Sequence, residues 1–72
     1  MEFADAIAVF DDPEAVTIED PDSEGEQRFL SIGLDIFGRI TVVAYTYRGD
    51  DARLISARKA TKKEERIYEK RI

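Results

Sequence analysis

The stretch "GRITVVAYTYRGDDARLISAR", residues 38–58, constrains the fold more than any other part of the chain. Its first half alternates two sets of side chains across an extended strand, with Ile40, Val42 and Ala44 on one face and Thr41, Val43 and Tyr45 on the other. Gly49-Asp50 follows, and such a dipeptide accepts the positive φ angles of a tight turn. The pattern therefore predicts a β-hairpin whose second strand is "ARLISAR".

Two shorter runs, "EAVTIED" and "QRFLSIG", predict strands before this hairpin. The segment between them is rich in Pro, Asp, Ser and Gly, which are turn residues. Nearer the N-terminus, Phe3, Ile7 and Phe10 recur at helical spacing, with Ala6 on the same side. Pro13 cannot continue a helix, so a short helix should bury these three side chains and end near residues 10–12.

A second helix is predicted at the C-terminal end, where Thr61 and Glu64 form a capping box. The residues that follow are mostly charged. Together the patterns predict an α+β fold, a four-stranded antiparallel meander flanked by a short N-terminal helix and a charged C-terminal helix. Because no long linker or repeat interrupts the order, we expect a single domain over residues 1–72.

The chain contains no cysteine and no histidine. Disulfides, zinc–thiolate centres and every catalytic triad that uses imidazole are therefore excluded. No apolar run approaches the roughly 20 residues that span a bilayer, and no signal-peptide pattern opens the chain. We expect a cytoplasmic protein with no cofactor, no metal site and no membrane partner.

Charge is distributed unevenly along the chain. Ten of the sixteen acidic residues precede Arg28, and all eleven basic residues lie from Arg28 onward. Like charges at Lys62, Arg66 and Lys70 stack along one side of the predicted second helix, where they repel one another. The basic half thus predicts contact with a polyanion or an acidic protein surface. A solvated surface without a partner is the alternative.

The acidic half contains a partial match to an EF-hand calcium loop, formed by Asp20, Asp22, Glu24 and Gly25. The loop also requires a bidentate carboxylate at its last position, where this chain has Ser31. A solvated acidic turn is therefore the better interpretation.

Three stretches together resemble the BrnT toxin family, the ribonuclease half of a bacterial toxin–antitoxin pair. They are "FADAIAVFDDPEAVTIEDPDSEGEQRFLSIG", "GRITVVAYTYRGDDARLISARKAT" and "KKEERIYE". Family members typically read F-x-x-A-x-x-V-F-x-D-P, then G-E-x-R-F-x-x-I-G, then R-x-I-S-A-R-x-A-T before a charged helix. The resemblance covers Phe3 to about Tyr68 and implies a RelE-like fold.

One departure from the family pattern concerns the N-terminus. Members usually begin earlier, with a strand and a helix that ends in a Lys-His-Gly-like segment. This chain starts at Met1, just before the matching Phe3, and that segment carries the histidine that the chain lacks. Either the chain is naturally short or the reading frame begins too late, and in both cases we expect some residues of the family's active site to be absent from this sequence.

The resemblance implies RNA cleavage without a metal ion, which requires deprotonation of a 2′-hydroxyl, stabilisation of a pentacovalent phosphate and protonation of the leaving 5′-oxygen. Guanidinium suits the second task because its planar fork holds two phosphate oxygens. Arg28 in the G-E-x-R motif and Arg58 in the S-A-R motif are therefore the candidate catalytic residues. The candidate substrate contacts are Arg53, Lys59, Lys62, Tyr45 and Tyr47.

Several of these assignments have alternatives. Arg53 and Arg58 are five residues apart, which places them on opposite faces of a strand unless a bulge intervenes. Tyr45 and Tyr47 share a face of the third strand, where they stack on bases, act as an acid or simply fill the sheet surface. For every cation the alternative is a solubilising or ion-paired surface residue.

Two functions of different classes are open at this point. The first is an endoribonuclease toxin that is neutralised by a cognate BrnA-like antitoxin with a ribbon-helix-helix fold, as the resemblance implies. The second is a non-catalytic protein- or RNA-binding module that has lost the N-terminal part of the active site. A small core and an uncovered sheet edge predict a homodimer or an antitoxin-bound assembly in either case.

Overall fold

The structure is a computed structural model that describes residues 3–20 and 27–70. Its elements, in chain order, are α1 (Phe3–Ala6), a 3₁₀ helix (Ile7–Asp11), β1 (Val16–Glu19), β2 (Phe29–Leu34), β3 (Ile40–Arg48), β4 (Asp51–Lys59) and α2 (Lys62–Lys70). The acidic turn predicted around Asp22 and Glu24 lies outside the described residues, as does the side chain of Phe3. Within the described ranges, no helix has the length and apolar character needed to cross a membrane.

The four strands form one antiparallel sheet in the order β1-β2-β3-β4. Each strand pairs with its neighbour in sequence, and Ile32 of β2 lies between Val16 of β1 and Val42 of β3. Gly49 adopts a φ of 61° in the turn between β3 and β4. The predicted four-stranded meander with a helix before it and a helix after it is confirmed.

The two helices cover opposite faces of the sheet. On one side, which we call the α1 face, the buried cluster consists of Ala6, Val9, Val43 and Tyr45. On the other side, the α2 face, it consists of Ile32, Val42 and Tyr68. Neighbouring residues of a strand point in opposite directions, so Val42 and Val43 belong to different clusters. The alternation read from the sequence of β3 thus divides the core into two layers.

The N-terminal helix buries only part of the predicted side, at Ala6. Ala6 and Val9 are fully buried, whereas Ile7 is 49% exposed and Phe10 is 44% exposed. After Ala6 the chain continues as a 3₁₀ helix, whose three residues per turn place Val9 directly above Ala6. The prediction that Ile7 packs inward is therefore wrong. Phe10 contacts the core through an edge-on arrangement with the Tyr45 ring, at 5.2 Å between centroids.

A buried carboxylate holds the turn between β2 and β3. The Asp35 side chain is fully buried, and its Oδ1 accepts hydrogen bonds from the backbone N–H groups of Phe37 and Arg39 at 2.9 and 3.0 Å. Its Oδ2 accepts the Arg39 Nε–H at 2.7 Å and the Thr41 hydroxyl at 3.3 Å. Burial raises the pKa of Asp35, but the hydrogen bonds from Arg39 and Phe37 outweigh it and hold the pKa below its usual value. The turn presents Ile36 and Phe37 to solvent.

A second carboxylate connects both helical segments to the sheet. Oδ1 of Asp12 accepts the N–H of Glu14 at 2.9 Å. Its Oδ2 accepts the N–H of Leu34 at 2.9 Å and the hydroxyl of Tyr68 at 2.6 Å. Leu34 lies beyond the end of the β1–β2 pairing, so Asp12 takes the place of a strand partner for that amide. Gly33 permits the approach, because a Cβ at that position would stand 3.1 Å from Asp12 Oδ2.

We expect Asp12→Asn to lower the free energy of unfolding by about 1–3 kcal/mol, because one side of an amide is a donor and would face the donors that the carboxylate now satisfies. Urea unfolding followed by circular dichroism measures the change. In the Asp12→Asn background, Tyr68→Phe should cost less than it does alone, since its partner is already impaired.

Asp11→Asn serves as the control, because Asp11 is the exposed neighbour in the 3₁₀ helix. It should change the free energy of unfolding by less than about 0.5 kcal/mol. Equal losses at positions 11 and 12 would contradict the connecting role of Asp12.

Candidate nucleic-acid interface

An irregularity in β4 decides which cations share a face. Successive residues of β3 pair with Ser56 and then with Leu54, so Ile55 has no partner on β3. An extra residue of this kind is a β-bulge, and it shifts the alternation of side chains by one. Arg53 and Arg58 therefore both lie on the α2 face, although five residues separate them. The sequence allowed Arg53 and Arg58 to share one site only if a bulge intervened between them, and the structure contains that bulge.

Arg28 directly precedes β2 and continues its pairing. Its carbonyl oxygen accepts the N–H of Asp20 at 2.8 Å, so the chain is still extended there. Phe29 packs in the cluster on the α1 face, which places Arg28 on the α2 face by alternation. The Arg28 Nε is buried and has no hydrogen-bond acceptor among the described residues. A buried donor without a partner is unfavourable.

Helix α2 covers only one end of its face. Toward the β3–β4 turn the face carries four exposed or partly exposed residues, Ile18, Leu30, Ala44 and Ser56, which we call the open floor. Arg28 and Arg53 lie at one end of the open floor, level with Thr46 of β3. Arg58 lies at the other end, level with Val42 and about 13 Å away along the strand. Guanidinium groups thus flank a mostly apolar floor at both ends.

Arg58 is held by α2. Its Nη1 donates to Oε1 of Glu64 at 2.6 Å, and its Nη2 donates to Oε2 at 2.8 Å. Oε1 also accepts the N–H of Thr61 at 2.9 Å, and the Glu64 N–H donates to the Thr61 hydroxyl at 3.3 Å, so the predicted capping box is confirmed. The hydrogen bonds from Arg58 lower the pKa of Glu64 to about 2, and the same contact raises the pKa of Arg58. Arg58 therefore fastens the end of β4 to the first turn of α2.

The two tyrosines and Lys59 lie on the other face of the sheet. Tyr45 is buried there, stacked on Phe29 at 5.7 Å between centroids, and its hydroxyl accepts a hydrogen bond from Ser31 at 3.2 Å. Tyr47 is 53% exposed beside it, and Lys59 pairs with a β3 residue of the same face. The predicted site residues are thus divided between Arg28, Arg53 and Arg58 on the α2 face, Tyr45, Tyr47 and Lys59 on the α1 face, and the exposed Lys62 at the start of α2.

A family model described as "Ribonuclease toxin, BrnT, of type II toxin-antitoxin system" matches residues 1–64. This chain belongs to the BrnT toxin family. Membership implies a ribonuclease toxin with RNA as its substrate and an antitoxin as its partner. No curated protein sequence matches the chain significantly. The matched range includes Arg28, Arg53 and Arg58, which flank the open floor, and also Glu64.

Some features of this face of the BrnT chain have little or no signature in the sequence. Glu64 is recognisable as a helix cap, but nothing in its spacing points to a partner on the preceding strand. The bulge falls at Ile55, where no glycine or proline marks it.

Arg48 also lies on the α2 face, opposite Asp51, and the alternation of β3 would have placed it there. Among residues 3–20 and 27–70, no three acidic side chains are arranged to hold a metal ion.

Glu64→Gln should lower the free energy of unfolding at pH 7 by about 1–3 kcal/mol, because Arg58 loses its carboxylate partner. The pKa of Glu64 falls from 4.5 to about 2 on folding, so its contribution is complete above pH 4.5 and is lost as the pH drops toward 2. The difference in the free energy of unfolding between the wild-type chain and Glu64→Gln should therefore become smaller as the pH falls from 4.5 toward 2. Urea unfolding at pH 7, 4 and about 2.5 measures it.

Glu69→Gln removes the same charge from an exposed position of α2 and is the matched control. Its free energy of unfolding should differ only slightly from that of the wild-type chain at every pH. If the loss of unfolding free energy in Glu64→Gln stays constant from pH 7 to about 2.5, the ion pair with Arg58 is not the cause of that loss.

Proposed function

We propose that this BrnT chain is a metal-independent endoribonuclease that binds an RNA phosphodiester over the open floor of the α2 face. The observation that carries the proposal is the β4 bulge, which brings Arg53 to the face that holds Arg28 and Arg58. A regular strand would direct Arg53 to the opposite face. With the bulge, an RNA backbone lying along the floor meets guanidinium groups at both ends.

The arrangement suits the electrostatic part of the cleavage reaction. Attack of a 2′-hydroxyl on the adjacent phosphate builds negative charge on the non-bridging oxygens, and donors fixed in advance stabilise that charge. Arg28 offers a buried Nε–H without an acceptor among the described residues, and Arg58 offers a guanidinium oriented by Glu64. We assign Lys59 and Lys62 a long-range attraction for RNA rather than a contact with the reacting phosphate. Tyr45 and Tyr47 have no role in the chemistry of this face.

A non-catalytic module that binds RNA or protein through the same face is the second candidate. The contact between Arg58 and Glu64 favours it, because it gives Arg58 a structural task that needs no chemistry. An RNA labelled at its 5′ end separates the two functions. Shorter labelled products support the ribonuclease, and a stable complex with intact RNA supports the module.

The partners of the chain form a further part of the proposal. We propose a RelE-like single domain over residues 1–72 that acts in the cytoplasm and is neutralised by a BrnA-like ribbon-helix-helix antitoxin. Strand β4 has nine residues and forms one edge of the sheet, with no partner strand beyond it in the described part of the chain. Pairing with a second copy or with the antitoxin would cover this edge. Sedimentation at micromolar concentration, with and without antitoxin, tests the assembly, and a monomer in both samples contradicts it.

Arg28→Ala and Arg53→Ala should each weaken RNA binding by about tenfold and relieve growth arrest on expression in bacteria, since each removes one guanidinium from the α2 face. Lys59→Ala removes the same charge from the α1 face and should change RNA affinity by less than about threefold. Fluorescence anisotropy at fixed salt measures the affinity, and circular dichroism checks folding. Equal losses in all three variants would show that net charge, rather than this face, governs binding.

Arg58 requires a different design, because Arg58→Ala removes its contact with Glu64 as well as any contact with RNA. Arg58→Ala should relieve growth arrest. The double variant Arg58→Glu/Glu64→Arg should regain most of the stability that Arg58→Glu loses, since opposite charges still meet between β4 and α2. Growth arrest should nevertheless stay relieved, because the guanidinium has left β4. A fully toxic double variant would show that Arg58 has only a structural role, which is to connect β4 to α2.

A further inference from the structure

The contact between Arg58 and Glu64 uses only one side of the guanidinium. Both hydrogen bonds to Glu64 come from the terminal nitrogens Nη1 and Nη2, which form the end of the fork. A guanidinium has five N–H donors, so Nε–H and the outward N–H of Nη2 form a second parallel pair along its side. Among the described residues, no acceptor is bonded to Nε. The Arg58 side chain is 49% exposed, so it is open to contact with a ligand.

Glu64 is itself held firmly in place. Its side chain is only 16% exposed, and Oε1 accepts the N–H of Thr61 in addition to the bond from Arg58. Thr61 directly precedes α2 and Glu64 lies in its first turn, and the helix is anchored to the sheet further along by the buried Tyr68. A guanidinium held end-on by a fixed carboxylate has lost most of its rotational freedom before any ligand arrives. Binding then costs less conformational entropy.

We propose that Glu64 is a positioning residue, which orients Arg58 so that its Nε–Nη2 side receives a phosphodiester of single-stranded RNA bound over the open floor. The inference rests on the proposed function, because it concerns the same RNA site. The second donor pair matches two phosphate oxygens bidentately while the first pair stays on Glu64. Glu64 thus favours RNA binding although it carries a negative charge close to the site.

This last point separates positioning from simple electrostatics. Removal of the Glu64 charge makes the protein more positive by one unit, which by itself should strengthen the binding of RNA. Loss of positioning should weaken it. The two effects have opposite signs, so the direction of the change in affinity decides between them.

The experiment uses a mixed-sequence RNA oligonucleotide with 2′-O-methyl riboses, which binds but cannot be cleaved through a 2′-hydroxyl. We expect Glu64→Gln to bind it about fivefold more weakly than the wild-type chain. Gln keeps an oxygen for the Thr61 N–H, so the cap survives. Thr61→Ala impairs the cap and keeps the carboxylate, and Glu69→Gln removes a charge elsewhere on α2. Both controls should bind within about twofold of the wild-type chain or more tightly.

A second readout reports on the orientation itself. In a nitrogen-15 NMR spectrum, the Arg58 Nε–H signal should shift when the oligonucleotide is added to the wild-type chain or to Thr61→Ala, and should shift little in Glu64→Gln. Unchanged or tighter RNA binding by Glu64→Gln overturns the proposal, as does a loss in Thr61→Ala as large as that in Glu64→Gln. Absence of any Arg58 shift in the wild-type chain overturns it too.

Two further outcomes separate the positioning role of Glu64 from the ribonuclease proposal and from a loss of folding. If the wild-type chain binds the oligonucleotide with the expected Arg58 shift but cleaves no natural RNA, the ribonuclease proposal fails and the positioning role stands. If Glu64→Gln is unfolded under the assay conditions, Arg58→Lys decides instead. Lysine keeps the charge opposite Glu64 but has no second donor pair, so Arg58→Lys should lose RNA affinity by a similar factor, and unchanged affinity overturns the proposal.

Discussion

The carboxylate of Asp12 is the contact on which the rest of the structure depends. The N-terminal helical segment and α2 lie on opposite faces of the sheet and belong to separate apolar clusters, so the hydrophobic effect does not connect them to each other. Asp12 does connect them, through the amide of Leu34 at the edge of the sheet and the hydroxyl of Tyr68 on α2. The core of so short a chain supplies only about 3–5 kcal/mol. One polar contact worth about 1–3 kcal/mol is therefore a large share of the total.

The candidate site inherits its geometry from this contact. With Tyr68 held, α2 covers the end of its face near Val42 and leaves the open floor uncovered. The same docking brings Glu64 to Arg58 and fixes the direction of its guanidinium. Arg28 and Arg53 need no help from the helix, because the sheet itself places them. The site thus combines two arginines positioned by strands with one positioned by the first turn of a helix.

The fold of this BrnT chain divides its basic C-terminal residues between a strand and a helix. The basic C-terminal third divides into β4, which places Arg53 and Arg58 on the α2 face, and α2, whose Lys62, Arg66 and Lys70 are exposed. Arg58 is oriented by its two hydrogen bonds to Glu64, which suits a defined contact with phosphate. Cations on an exposed helix surface keep their freedom and act mainly through long-range attraction, which salt weakens.

The sequence by itself determined the order of the elements, because strand alternation, the Gly49 turn and the Thr61–Glu64 cap are local signals read over a few residues. It also determined which residues of β3 face each side, since alternation has a period of two. Only the tertiary structure decided the rest. The buried side of the N-terminal segment depends on a change from an α-helix to a 3₁₀ helix, and the common face of Arg53 and Arg58 depends on an extra residue at Ile55 that carries no mark in the sequence. The partners of Arg58 and Tyr68 lie on other elements of the chain, the latter 56 residues away. Such contacts follow from how the sheet and helices dock, which no local pattern encodes.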